Sequence, residues 1–220
     1  MEKRTQSRAT RNSSAESTDK SIRAAAVKAI AKYGFKAANL RDIAKDVGIR
    51  APSLYNYISS KEQLLYELIK EPLNSMLTEY RALVREVDDP SEKLRIFLQV
   101  HLNFHLHSKD DVFIGNMELR NLSPSHYRTI IGLREEFAQT LYDIIQEGVD
   151  RSVFNTAQPR VISLTMLGML SGVCNWYRSS GAMSPREMIE FYTDLIFSML
   201  GAAPASAGAK PKPARKRPAS

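Results

Sequence analysis

Apolar residues recur along this chain at spacings of three and four, and no stretch sustains the alternation of a strand. Ile22, Ala25, Ala26, Ala29, Ile30 and Tyr33 form the first helical stripe, with Thr18 as its expected cap, Gly34 as its stop and Phe35 packing back. Asn39 is placed to cap a second helix, with Asp42 favourable in its first turn and Ile43, Ala44 and Val47 on its apolar face. Gly48 falls where that helix must end sharply, and Ile49 follows as a plug. Arg50, Ala51 and Pro52 then open a helix whose buried face is Leu54 and Ile58. Arg50, Ser53, Tyr55, Asn56 and Tyr57 are left on its other side. One packing face and one polar, aromatic face on two short helices is the arrangement of a helix-turn-helix.

The pattern continues with longer helices. Ser60 caps a fourth, with Gln63 placed for a capping box, and Pro72 predicts a kink inside it because the stripe resumes at Leu73, Met76, Leu77, Tyr80 and Leu83. Asp89-Pro90 opens a fifth, lined by Leu94, Phe97, Leu98, His101, Leu102 and His105. A short sixth covers roughly 110–121, and Ser123-Pro124 starts a seventh through Ile145, with a loop expected at Gly148 and from Asp150 to Thr156. The eighth runs from about Pro159 to Arg178. Ser184-Pro185-Arg186-Glu187 has the capping-box form for a ninth, ending near Leu200. The reading is all-α, with about nine helices in two parts: a helix-turn-helix domain over 18–65 and a helical body over 66–201. Residues 1–17 and 202–220 are too polar or too Ala/Pro/Lys/Arg-rich to build a core and are expected to be disordered basic ends.

Charge sharpens this division. The net charge is +7, and residues 18–71 hold ten basic and six acidic side chains while 72–209 hold twelve and sixteen. A basic front and an acidic back suit a DNA-binding head on a body that does not touch DNA; ordinary surface variation is the alternative source of such a swing. There is no apolar run of the roughly 18 residues that a membrane span needs, and Cys174 is the sole cysteine, so no internal disulfide forms. A polar, basic N-terminus without signal-peptide character makes the cytoplasm the expected location.

The order Gly34-Phe35, Leu40-Arg41-Asp42-Ile43-Ala44, Val47-Gly48-Ile49, Leu54-Tyr55-Asn56-Tyr57-Ile58 and Ser60-Lys61-Glu62-Gln63-Leu64-Leu65 resembles the DNA-binding domain of the TetR family of transcriptional repressors, over about residues 18–66 without a gap. Ala51 stands where many members have Lys, and Pro52 where many have Gly or Ala. The resemblance implies a homodimer that sets two recognition helices in successive major grooves of a palindromic operator, and a small ligand in the body that weakens DNA binding. It also implies that Arg50, Ser53, Tyr55 and Asn56 match recognition-helix contacts, Lys61 a phosphate contact, and Leu40 and Arg41 the start of the helix that crosses the backbone. Arg50 and Asn56 suit base edges, since Arg pairs bidentately with guanine and Asn with adenine. Tyr55 and Tyr57 suit phosphate, or the half-buried positions that Tyr often takes.

In the body, Phe104, His105, Phe113, Met117, Tyr127, Phe137, Met166, Met169, Trp176 and Tyr177 are candidates to line an apolar ligand cavity, or ordinary core. The stretch Gly115 to Pro124 is similar to TetR-type regulators of fatty-acid or steroid breakdown that respond to acyl-CoA thioesters. That likeness implies an acyl chain in the cavity and Arg120, Arg128 or Arg134 on the CoA phosphates, unless these arginines pair with Glu118, Glu135 and Glu136. Leu167, Gly168, Ser171 and Gly172, with Ile189, Tyr192, Leu195, Ile196 and Met199, predict a four-helix dimer interface. His101 and His105 have metal-ligand spacing, but no Glu follows His101 in the protease pattern and no cysteine cluster is near, so pocket or core histidines are expected and no metal or cofactor. No P-loop, dinucleotide turn or nucleophile elbow is present, which sets an enzyme aside; an effector-independent DNA-binding or architectural protein, or a repressor responding to an aromatic drug-like ligand, remains the alternative.

Overall fold

The computed structural model describes residues 2–202, with side chains from residue 16 onward. Its described residues form helices joined by turns and loops and contain no strand: α1 (Glu2–Tyr33), α2 (Leu40–Val47), α3 (Ala51–Leu54), α4 (Lys61–Leu83), α5 (Pro90–His107), α6 (Lys109–Met117), a 3₁₀ turn (Leu119–Asn121), α7 (Pro124–Asp150), α8 (Pro159–Trp176) and α9 (Pro185–Met199). The all-α, two-part reading therefore stands. The basic tail expected from 202 onward lies, beyond residue 202, outside the described residues.

Several boundaries differ from expectation. α1 begins at Glu2, so Thr18 lies inside a helix instead of capping one, and the segment expected to be disordered is helical from Glu2. Residues 2–17 hold no Gly or Pro and several strong helix formers, so nothing stops the helix propagating outward from its packed half. The recognition helix α3 is regular only to Leu54, after which Tyr55, Asn56 and Tyr57 continue as tight turns with i to i−3 bonds. Leu54 and Ile58 are buried even so. Ser60 caps α4 by accepting from the Gln63 N–H, but the Gln63 side chain turns to Glu67 at 2.7 Å, so no capping box forms there. At α9 the box is complete, with Ser184 and Glu187 each bonding the other's backbone N–H. Gly148 is not in a loop; α7 runs through it to Asp150, and the Phe154 ring lies directly on it.

Two apolar cores result. The first joins Ile22, Ala26 and Ile30 of α1 with Ile43 and Ala44 of α2, Leu54, and the first half of α4. Ile114 of α6 and Ile130 of α7 are buried in that same core, so the head is seated on the body by shared apolar side chains. The second core surrounds α5, whose Leu94, Phe97, Leu98 and Leu102 are fully buried against α4, α7, α8 and α9. Each such side chain contributes about 1.5–3 kcal/mol of burial. α4 belongs to both cores, and the expected boundary at 65/66 falls within its unbroken length.

Candidate nucleic-acid interface and effector cavity

The helix-turn-helix is built from local rules. Asn39 accepts from the Arg41 N–H at 2.9 Å and so starts α2. Gly48 ends it at φ 77°, a left-handed conformation in which a side chain is strained, and its N–H returns to the last turn. The Ile49 N–H bonds the Ala44 carbonyl, and Arg50 leads into α3 with Pro52 inside its first turn. This leaves Arg41, Arg50, Tyr55 and Asn56 exposed, with no side-chain hydrogen bond or ion pair among the described residues. Tyr55 is 59% exposed, a large loss of apolar cover that water alone does not reward. Ser53 is half-buried beside them.

Three further expected DNA contacts also have partners within the chain. Leu40 and Tyr57 pack partly against the head's core. The Lys61 ammonium donates to the Lys36 carbonyl at 3.2 Å and lies 4.6 Å from the centre of the Phe35 ring. Its partial burial lowers its pKa. Lys61 thus braces the turn after α1 from within the chain.

A cavity of about 220 Å³ opens in the body between α4, α5, α6, α7 and α8. Of the expected ligand residues, Phe104, His105, Phe137 and Arg134 line it. Phe113, Met117, Tyr127 and Trp176 are roughly half exposed and Arg120 is exposed, all outside the lining. Met166 and Tyr177 are instead buried core, and Met169 packs against that core. Helix packing decides which way each aromatic or Met points, and composition carries no such direction. The wall that the sequence did not mark is the α4 face Leu68, Ile69, Pro72, Leu73 and Met76; its one signal was the proline within a helical stripe. Asp111, Asn116, Leu167 and Ser171 complete the lining with His101, Val112 and Gly115.

The cavity's ionisable groups are shaped by burial. Desolvation pushes His101 well below the ordinary imidazole pKa, aided by neighbouring His105. Desolvation also lowers His105, partly opposed by its bond to the His101 carbonyl and reinforced by the charge of Arg134. Burial raises the Asp111 carboxyl. Arg134 is lowered by desolvation and donates to the Gly115 carbonyl at 2.6 Å and Asn116 Oδ1 at 3.2 Å. None of Glu118, Glu135 and Glu136 pairs with it. Glu136 instead pairs with Arg81.

Glu118, just past the end of α6, is buried and ties the body to the head. It accepts from the Phe35 N–H at 3.1 Å and from Asn121 Nδ2 at 2.6 Å. A second tie runs from α4: Glu62 accepts from the Ser123 N–H at 2.8 Å and from His126 Nδ1 at 2.9 Å, while the His126 ring stacks on Tyr66 at 3.9 Å. Burial would raise the Glu62 pKa, but the Ser123 N–H and His126 together hold it below the usual carboxylate range.

On the surface of the body, Val161, Leu164 and Trp176 of α8 and Phe191 of α9 are each more than half exposed. Gly168 and Gly172 lie along the same helix with nothing near the positions a Cβ would take. The expected interface residues divide: Ile189, Leu195 and Met199 are half-buried, Tyr192 and Ile196 are in the protomer's own core, and Leu167 and Ser171 face the cavity.

Comparison with known proteins agrees with this geometry. Residues 22–68 match the domain described as bacterial regulatory proteins, tetR family, and residues 87–200 match the tetracyclin repressor-like C-terminal domain. The chain is 27% identical over 168 residues to the HTH-type transcriptional repressor KstR2 of Mycolicibacterium smegmatis, covering 76% of this chain and 82% of that protein. A crystal structure of a tetR-family regulatory protein from Rhodococcus RHA1 aligns with TM-score 0.76 and 26% identity over 84% of this chain and 98% of that one. The fold is also that of AibR, crystallised with isovaleryl coenzyme A and operator DNA, at TM-score 0.73 and 18% identity over 82% and 98% of the two chains. With the C-terminal match alone spanning more than half of its length, this chain belongs to the TetR family of transcriptional regulators.

Proposed function

We propose that this protein is a cytoplasmic, ligand-released repressor that binds a palindromic operator as a homodimer. The observation that carries the reading is the double duty of α4. Its first turn closes the helix-turn-helix, and its middle, from Leu68 to Met76, is a wall of the cavity. A ligand that alters the packing of this wall acts on the same rigid element that positions the head. Arg134 adds a second route, since it faces the cavity and grips the end of α6, three residues before Glu118 holds Phe35. The ligand works by favouring one arrangement of head on body over another, so its effect equals its difference in affinity for the two.

Arg50 and Asn56 are the base readers, with Ser53 beside them, and Arg41 and Tyr55 hold phosphate. The apolar face of α8 and α9 pairs with its copy and sets the distance between two heads for successive grooves. The effector is a hydrophobic small molecule. The isovaleryl coenzyme A bound by AibR has an acyl group of a size the cavity admits, and Arg120 and Arg128 stay exposed and unpaired among the described residues for an anionic remainder.

The test is fluorescence anisotropy with duplexes from the promoters flanking the gene, at low salt. The wild type binds, Arg50→Ala weakens binding by about 1–3 kcal/mol, and isovaleryl coenzyme A or a longer acyl-CoA releases the DNA. Failure to bind any flanking promoter rejects the repressor. Binding that no CoA thioester, fatty acid or aromatic compound alters rejects the effector and leaves a ligand-independent DNA-binding protein.

A further inference from the structure

His101 is buried in a way that the fold alone does not use. It is 3% exposed and lines the cavity, and neither of its ring nitrogens has a hydrogen-bond partner among the described residues. Buried polar atoms are nearly always paired, and leaving them unpaired is costly. Packing alone would favour a phenyl ring here, because Phe97 stacks on one side of the imidazole and Phe137 tilts against it.

Its neighbour narrows the chemistry. His105 lies one helical turn on, with the two rings stacked at 4.0 Å and 10° from parallel. His105 Nδ1 is 2.9 Å from the His101 carbonyl oxygen, which only accepts, so Nδ1 carries the proton. In the neutral ring Nε2 then presents a lone pair. Phe104 sets its ring perpendicular to His105 and fixes its orientation. The neutral pair therefore offers one N–H and one lone pair from His101 and a second lone pair from His105. Arg134 is already committed to Gly115 and Asn116. The rest of the wall near the pair, such as Leu73, Met76 and Val112, is apolar.

A hydroxyl accepts from the His101 N–H and donates to the His105 lone pair, leaving one His101 nitrogen unmet, whereas a carbonyl only accepts and leaves both lone pairs unmet. We propose that His101 and His105 are the specificity-determining pair of the cavity and read a hydroxyl on the apolar part of the effector, so that a hydroxylated acyl group is preferred over the plain isovaleryl group. This rests on the effector-cavity reading above.

The experiment uses full-length protein labelled with ¹⁵N-histidine and two probes of nearly equal shape, cyclohexanol and methylcyclohexane. His107 and His126 serve as internal references, since their Nδ1 atoms are engaged by the Asn103 carbonyl and by Glu62. Cyclohexanol is expected to shift the ring-nitrogen resonances of His101 and His105 and to leave those of the other two. Methylcyclohexane is expected to shift none. The ratio of cyclohexanol to methylcyclohexane affinities is expected to fall about tenfold in His101→Phe and to be largely kept in His101→Gln. Binding of both probes with unmoved ring nitrogens, or an unchanged ratio in a folded His101→Phe, overturns the hydroxyl-reading pair and leaves the effector cavity standing. Binding of neither probe overturns the hydroxyl-reading pair, and the acyl-CoA release assay above decides the effector cavity separately. If His101→Phe does not fold, the wild-type nitrogen shifts decide alone.

Discussion

Two glycines in α7 make opposite predictions from the same substitution. Gly132 is exposed in the middle of the helix with nothing within 4 Å of the position a Cβ would take. Alanine there gains helix propensity, about 0.5–1 kcal/mol. Gly148 lies in the same helix, but its Cβ would sit 2.0, 2.3 and 2.8 Å from three ring atoms of Phe154. Carbon atoms settle at about 3.5 Å, so the ring would have to retreat by roughly 1.5 Å. Phe154 is buried and sits edge-on to Phe197 in the second core, and a close-packed interior offers no such space. Displacing the ring costs about 3–5 kcal/mol, against which the propensity gain of about 1 kcal/mol leaves a net loss of roughly 2–4 kcal/mol. At about 2–4 °C per kcal/mol for a chain of this size, Gly132→Ala melts slightly above the wild type and Gly148→Ala clearly below it. Calorimetry and urea titration of both variants measure this. In a Phe154→Ala background, Gly148→Ala becomes neutral or stabilising, because the atoms it collides with are gone. A Gly148→Ala protein as stable as Gly132→Ala, with Phe154 intact, refutes the reasoning.

Three further outcomes follow from the site. His101 and His105 are held neutral when folded, while an unfolded imidazole titrates near 6.5. The unfolded chain therefore takes up protons first, and stability declines as pH falls below about 6.5 by up to about 1.4 kcal/mol per pH unit for each ring. Asp111 and Arg134 are the other ionisable groups on this wall, and raised Asp111 works in the opposite sense as it protonates, so urea midpoints are compared between pH 7.5 and 5.5. A slope that His101→Phe does not reduce contradicts the assignment. Glu118→Ala removes the acceptor of the Phe35 N–H; the change in operator Kd on adding isovaleryl coenzyme A, about 5–150-fold in coupled systems, shrinks to within about threefold, and an undiminished response disproves the tie. Leu164→Glu or Phe191→Glu converts a dimer into protomers of 24.8 kDa by light scattering at micromolar concentration, and a mass unaffected by both places the interface elsewhere.

The head was the most legible part of the chain because its rules are local. Asn39, Gly48 and Ser60 each act on backbone groups within a few residues, and each does so as its type and position imply. Gln63 shows the limit of such reasoning: its side chain had two partners within reach and took Glu67. The cavity was less legible because a helical stripe says that residues are apolar, not what they face. Leu68 and Leu64 belong to one stripe, yet Leu68 lines the cavity and Leu64 does not. Tyr192 and Ile196 share a helix with exposed Phe191, and only the docking of α9 on α5 decides which of them a partner could reach. Gly148 looked like a stop signal, and the ring that explains it comes from a residue on the far side of a turn.

Pro72 has a mechanical consequence. It has no amide hydrogen, so α4 lacks the bond that would reach back to the carbonyl of Leu68. Leu68 and Pro72 both line the cavity, so the helix is most compliant where a ligand would press on it. Lys61 begins α4 eleven residues earlier, a lever arm of about 16 Å at 1.5 Å per residue. A bend of about 5° at Pro72 swings the start of the helix by roughly 1.4 Å over that length, with the turn and α3 carried beyond it. A Pro72→Ala protein would have a stiffer arm, and the same ligand would move its reading head less.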